Sequence, residues 1–219
     1  MIRIESAEAP LSVPRVAFQA VTALGRAEAM GLLPRNEHIE TLDQSSLRKA
    51  MRHIHRAGIA RNIQLDFNDA SGTNLERTLE RLNLALEDSP VPEFEWKRML
   101  EIVGFELLSR LLGISGSSIR RYNAAARTTP DNVAERLHFL SLIVGDLSGA
   151  YNDIGVRQWF ERRRAQLDGR APLDWLKAGW KRVPTMSSWR RLSSKLVRAA
   201  RAFSALSGDG LLRSSTSVT

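Results

Sequence analysis

Apolar residues recur every three or four positions along most of this chain, a spacing that places them on one face of an α-helix. The pattern predicts one helix over residues 40–60 and another over 74–87, with Asn74 as a plausible N-cap of the second. The second helix carries an apolar stripe formed by Leu75, Leu79, Leu82 and Leu86. The alternation typical of strands is nearly absent, and 63–67 is its one weak candidate. We therefore predict an all-α fold.

The prolines at 90 and 92 interrupt the helical pattern and divide the chain. Beyond them the spacing predicts helices over 93–103, 105–112, 115–125, 131–150, 152–166 and 173–177. We expect a helical N-terminal region with a possible role in oligomerisation, a helix-turn-helix core, a small helical module and a basic tail. Their predicted bounds are 1–92, 93–130, 131–180 and 181–219.

Residues 105–122, with the sequence FELLSRLLGISGSSIRRY, have the pattern of a helix-turn-helix. Two short helices that cross closely need a small residue at the contact, and Ser109 occupies that place. Gly113 suits a turn with positive φ, which glycine adopts without steric cost. Ser115 can cap the second helix by accepting a backbone N–H bond.

The outward face of the second helix has the chemistry of a DNA-binding surface. With Ile119 and Tyr122 facing inward, serine and arginine side chains remain outside, where they suit phosphates and guanine edges. No acid lies between Glu106 and Asp131, whereas four arginines do. The candidate DNA-binding residues are Ser115, Ser117, Ser118, Arg120, Arg121 and Arg127. The alternative is a helical hairpin with a solvated basic face.

The net charge of +8 is concentrated near the C-terminus. Residues 175–219 contain nine Lys and Arg and one acid, whereas 1–174 contain 23 of each sign. Such an asymmetry indicates an anionic partner or a solvated arm. The amphipathic stretch 187–206 predicts a basic helix that could lie on a protein partner, on DNA, on an anionic membrane or on its own domain. Residues 207–219 are predicted to be disordered.

Composition excludes several kinds of site. The absence of cysteine excludes disulfides, thiolate metal sites and a Cys nucleophile. No apolar run is long enough to span a bilayer, and no signal peptide is evident, so we expect a cytoplasmic protein with no membrane partner. No phosphate-binding glycine loop, nucleophile elbow or His-Glu helix pair occurs. His38 and His138 have no evident companions, and His53 and His55 point too far apart to share a metal. We predict no catalysis, metal or cofactor.

Residues 151–176, with the sequence YNDIGVRQWFERRRAQLDGRAPLDWL, carry a second motif. A Trp in a helix is followed by a Leu-x-Gly-Arg-x-Pro-Leu turn that leads into a last helix. The matching positions are Trp159, Leu167, Gly169, Arg170, Pro172 and Leu173. The stretch resembles the toxin-binding domain of the Xre/MbcA/ParS antitoxin family, in which a helix-turn-helix usually lies directly upstream. The resemblance covers about 93–178.

The resemblance implies a non-catalytic type II antitoxin that forms a homodimer. It would bind and neutralise a RES-domain toxin, an NAD-consuming protein, and would repress its own operon by binding operator DNA. The candidate toxin-binding residues are Arg157, Trp159, Gly169, Arg170, Pro172 and Leu173. Core packing is the alternative for Trp159 and Trp175, and Gly169 and Pro172 can serve only to shape the turn. The other functional hypotheses are a helix-turn-helix transcriptional regulator without a toxin partner and a scaffold whose helix-turn-helix is vestigial.

Overall fold

The computed structural model describes residues 4–34, 39–69, 71–148 and 150–180, and over these ranges the fold is all-α, as predicted. Its helices are α1 (Pro14–Ala29), α2 (Gln44–Arg56), α3 (Thr73–Glu87), α4 (Pro92–Val103), α5 (Phe105–Leu112), α6 (Gly116–Asn123), α7 (Asp131–Leu147), α8 (Asp153–Glu161) and α9 (Pro172–Trp180). A short 3₁₀ helix, Ala165–Leu167, precedes α9, and two-residue strands β1 (Ser6–Ala7) and β2 (Thr41–Leu42) pair in parallel. The predicted basic helix over 187–206, the tail 207–219 and His38 lie outside the described residues.

Buried apolar side chains form two clusters, one within residues 11–91 and one largely within 96–176. The leucine stripe of α3 is fully buried in the first cluster, which confirms the orientation predicted for that helix. The two clusters lie on either side of the predicted boundary at residue 92. Nevertheless α1, which the apolar spacing does not single out, packs against both α3 and α7. The N-terminal region therefore packs against α7 through α1.

Helices α1 and α7 meet backbone to backbone at two glycines. A Cβ added to Gly25 would lie 2.7 Å from the carbonyl oxygen of Gly145, so a larger residue does not fit. Beside this crossing the fully buried Arg26 donates to Asp146 through Nε at 2.9 Å and to Glu87 at 2.7 Å. Burial alone would lower the pKa of Arg26, but the two carboxylates outweigh it and raise that pKa. The charge is thus paired where it is buried, as a buried ion requires.

Several predicted helix ends are wrong, and tertiary or capping contacts explain them. The helix predicted over 40–60 begins only at Gln44, because 41–42 pair with β1 and Asp43 caps the helix by accepting the N–H of Ser46 at 2.7 Å. Asn74 is not an N-cap: α3 begins one residue earlier, and the Asn74 N–H donates to Asp69 at 2.8 Å. No strand forms over 63–67, and the helix predicted over 152–166 ends at Glu161.

Candidate functional site

The turn between α5 and α6 is built as its residues predict. Gly113 has φ of +70° and ends α5 in the left-handed conformation. Ser115 is the N-cap of α6, since its hydroxyl accepts the backbone N–H of Ser118 at 3.2 Å. The Ser109 hydroxyl donates to the carbonyl of Ile114 at 2.7 Å and so bonds across the turn. These contacts fix the short segment that separates the two helices.

Aromatic packing holds α6 against α4. Ile119 is fully buried, and the Tyr122 ring stacks on that of Trp96 with centroids 5.7 Å apart. Trp96 in turn donates from Nε1 to the hydroxyl of Thr129 at 2.9 Å, on the loop that follows α6. The inward orientation predicted for Ile119 and Tyr122 is therefore confirmed.

The side chains predicted to contact DNA lie on the opposite, outer face of this unit. Ser118 is partly buried, and the others are exposed, namely Ser115, Ser117, Arg120, Arg121 and Arg127. The Ser115 hydroxyl lies 3.0 Å from the hydroxyls of both Ser117 and Ser118, so part of the serine group is engaged in local bonding. The exposed arginines are the more available groups for an anionic ligand.

Phe105 and Gly116 form a contact with Arg120 that the sequence pattern does not reveal. The Arg120 guanidinium carbon lies 4.9 Å from the centroid of the Phe105 ring, within cation–π distance. A Cβ on Gly116 would lie 2.8 Å from two atoms of the same ring. The ring therefore occupies the space that a side chain at 116 would take. Phe105 and Gly116 lie eleven residues apart on different helices, so helical periodicity does not pair them.

The basic patch of the α5–α6 unit has fewer unpaired arginines in the structure than the sequence predicts. Arg110 forms an ion pair with Glu161 at 2.8 Å, with both side chains about half exposed. Glu161 is the last residue of α8, so this bond links α5 to the end of α8. Arg136 of α7 donates to the carbonyl of Leu112 at 3.3 Å, and burial lowers its pKa. Of the four arginines predicted to form the patch, Arg110 is therefore paired with an acid, Glu161.

The loop before α9 is closed by backbone hydrogen bonds. The N–H of Arg164 donates to the carbonyl of Arg170 at 3.1 Å, and the N–H of Gly169 donates to the carbonyl of Arg164 at 3.0 Å. Asp168 and Gly169 both have positive φ, +56° and +75°. Both are exposed, as is Arg170, whose guanidinium lies 3.7 Å from the Asp168 carboxylate. The loop therefore presents Gly169 and Arg170 at the surface.

The remaining predicted toxin-binding residues lie elsewhere. Trp159 is only 1% exposed and packs edge-on against Phe160 at 5.2 Å, which favours the core alternative for this residue. Pro172 and Leu173 are buried as well, at the start of α9. Arg157 donates to two carbonyls in the last turn of α4, at 2.7 and 3.0 Å. Trp159, Pro172 and Leu173 therefore support the fold and do not face outward, whereas Arg157 bonds to α4 while remaining exposed at the surface.

His138, which is isolated in the sequence, has buried hydrogen-bond partners from distant segments. His138 Nδ1 and Glu95 Oε1 are 2.6 Å apart and share one proton in a hydrogen bond. The other ring nitrogen, Nε2, donates to the carbonyl of Glu87 at 3.1 Å. The single proton of the Ser141 hydroxyl has two acceptors within reach, Glu95 at 3.1 Å and the His138 carbonyl at 2.7 Å. Burial raises the pKa of Glu95. The hydroxyl contacts the carboxylate and not the imidazole, so the order of a nucleophile–base–acid triad is not present here.

Comparisons with known proteins supply no relative. No protein-family model matches the sequence, and neither a curated protein nor a solved structure shows significant similarity to it. Within the described ranges, no group of three or more histidine and carboxylate side chains is arranged to hold a metal ion. Over the same ranges, no helix is both long and apolar enough to cross a membrane.

Proposed function

We propose that this chain is an antitoxin of the Xre/MbcA/ParS type that binds and neutralises a RES-domain toxin, acts as a homodimer and represses its own operon. The observation that carries the proposal is the order of elements. A capped two-helix unit with outward arginines is followed by α7, by α8 with its tryptophan, and by the closed Gly-Arg loop that leads into α9. This is the order that the resemblance implies.

The toxin contact in this proposal centres on Arg170. The residue is exposed, it lies on a loop fixed by backbone bonds, and its 3.7 Å ion pair with Asp168 joins two exposed side chains, so solvent screens it. A guanidinium held in this way can bind a carboxylate or phosphate through two parallel bonds. Arg162 and Arg163, also exposed, extend the same basic surface toward the end of α8.

Co-expression with the adjacent gene tests the toxin half of the proposal. The chain carries the only affinity tag, and both growth and the recovered complex are measured. We expect growth arrest by the neighbouring product alone, rescue by this chain, and loss of rescue in Arg170→Ala. Arg52→Ala, an exposed arginine on α2, is the matched control. A neighbour that is neither toxic nor retained on the tagged chain would overturn this half.

DNA binding is proposed to occur through α6, with Arg120 and Arg121 as the main contacts. Both are exposed on a helix whose other face is anchored by Ile119 and Tyr122. Binding of the DNA upstream of the gene is measured by anisotropy over a salt range of about 50 to 200 mM. We expect the Arg120→Ala/Arg121→Ala double variant to lose its preference for the operator, and its remaining nonspecific DNA binding to have a salt slope flatter by about 0.9 for each phosphate contact removed.

The second candidate is a transcriptional regulator without a toxin partner. It is favoured by the contrast between the exposed arginines of α6 and the burial of Trp159, Pro172 and Leu173. The double arginine variant separates the two candidates further, because an antitoxin should still bind its toxin when operator binding is lost. Loss of both activities would instead indicate misfolding or a shared interface.

A further inference from the structure

We infer that Phe105 positions Arg120 to recognise a guanine, so that one guanine in the operator is specified by this pair. The inference rests on the proposed DNA binding. It specifies the base that is recognised, a guanine, and the residue that orients the recognising arginine, Phe105. Arginine recognises guanine by donating two parallel bonds to O6 and N7 in the major groove. That geometry depends on the plane of the guanidinium, not only on its charge.

The Phe105 ring covers one side of the Arg120 guanidinium and leaves its N–H edge unoccupied. The guanidinium carbon lies 4.9 Å from the centroid of the Phe105 ring, while the side chain remains exposed. Within the described residues the Arg120 guanidinium makes no hydrogen bond or ion pair that would compete with a base. An arginine already restricted by stacking loses less rotational freedom when it binds.

Gly116 leaves room for the Phe105 ring because it has no side chain. Gly116 lies one helical turn before Arg120 and therefore on the same face of α6. Because its missing Cβ would be 2.8 Å from the ring, the glycine allows Phe105 to lie between the start of α6 and the guanidinium. Phe105, Gly116 and Arg120 thus form one unit across the turn. Arg121, adjacent in sequence, has no such ring contact among the described residues.

The experiment is an in vitro selection of duplex DNA from a randomised library with the full chain, followed by affinity measurements on single-base variants of the selected site. We expect the wild type to select a fixed guanine, with replacement by adenine lowering affinity roughly tenfold. Arg120→Lys should remove most of this preference, because lysine cannot form the bidentate pair. Arg121→Ala should weaken all sequences alike.

Variants of Phe105 test directly whether its ring controls the guanine preference of Arg120. Phe105→Leu should reduce the guanine preference by about threefold to fivefold, whereas Phe105→Tyr, which keeps the ring face, should preserve it. Phe18→Leu, which removes an exposed phenylalanine on α1, should leave the preference unchanged. Circular dichroism and thermal unfolding establish that each variant folds. A merely structural role for Phe105 would lower stability or overall affinity without changing preference at one base.

The outcomes separate the inference from the function on which it depends. If the wild type selects no sequence and shows no salt-dependent binding, the DNA-binding proposal fails and the inference fails with it. If the wild type binds a specific site but Phe105→Leu retains the full guanine preference, the inference alone is overturned. Transfer of the preference from Arg120 to Arg121 in the variant series would also overturn it.

Discussion

The α5–α6 unit, residues 105–123, and the segment 153–173 are both predicted from sequence to carry binding residues, but the structure places those residues differently. In the α5–α6 unit the predicted arginines are exposed. Of the predicted residues in the segment 153–173, the apolar Trp159 and Leu173 are buried, and only polar or turn residues are exposed, namely Arg157, which bonds to α4, Gly169 and Arg170. A polar side chain on an amphipathic helix faces outward because the inward positions are apolar. An apolar residue of a binding motif can pack either in the core or against a partner, so the motif alone does not predict its exposure.

The largest expected effect comes from Trp159→Ala, which tests whether the residue belongs to the core. Removing a large, 1% exposed aromatic side chain leaves a cavity, so the free energy of unfolding should fall by about 3–5 kcal/mol. Chemical denaturation followed by circular dichroism measures the loss. Trp175→Ala, at a partly buried position, should cost less. A Trp159→Ala variant of nearly normal stability that no longer binds its partner would identify Trp159 as a contact residue.

Gly116→Ala tests the packing of the unit that contains Arg120. Its new Cβ would meet the Phe105 ring at 2.8 Å, and overpacking of this kind destabilises by about 1–3 kcal/mol. In a Phe105→Ala background the obstruction is absent, so the same substitution should be close to neutral. Thermal unfolding of the four chains gives the coupling between the two positions. Equal effects in both backgrounds would show that the ring does not pack against residue 116.

Local sequence signals predict the parts of this fold that depend on neighbouring residues. The α3 stripe, the left-handed turn at Gly113 and the cap at Ser115 are all confirmed, because each follows from side chains within one or two helical turns. The exposure of Arg120 and Arg121 follows from the same periodicity. The Asn74 cap is wrong because Asp69, on the preceding loop, takes the helix N–H instead.

Contacts between distant segments explain what the pattern does not predict. His138 pairs with Glu95, 43 residues away, and Arg110 pairs with Glu161, 51 residues away. Helix α1 packs against α7 only because Gly25 and Gly145 permit the close approach. None of these pairings has a periodic signature in the sequence. The antitoxin function likewise remains a prediction, because it depends on a partner and not on the fold alone.

Arg157→Ala tests whether the segment 153–173 supports the fold through its charged residues as well. The guanidinium donates to the carbonyls of Glu101 and Ile102, which lie at the C-terminal end of α4, where a cation is favourable. Losing these bonds should lower the free energy of unfolding by about 1–2 kcal/mol. Chemical denaturation measures the loss, with the exposed Arg162→Ala as the control. A stability equal to that of the control would leave Arg157 available as a partner contact.

The smallest expected effect on stability concerns the ion pair that joins the two compared regions. Arg110 and Glu161 are each about half exposed, so solvent screens their attraction and a double-mutant cycle should give a coupling of about 0.5 kcal/mol or less.

The effect of this ion pair on DNA binding should be easier to detect than its effect on stability. Glu161→Gln removes an acid beside the α5–α6 unit and frees Arg110, so operator affinity should rise about twofold to threefold at low ionic strength and the gain should vanish as salt increases. Asp153→Asn, which neutralises an acid at the other end of α8, is the control. An unchanged affinity in Glu161→Gln would mean that the DNA lies away from this end of α8 and that the two regions bind their partners independently.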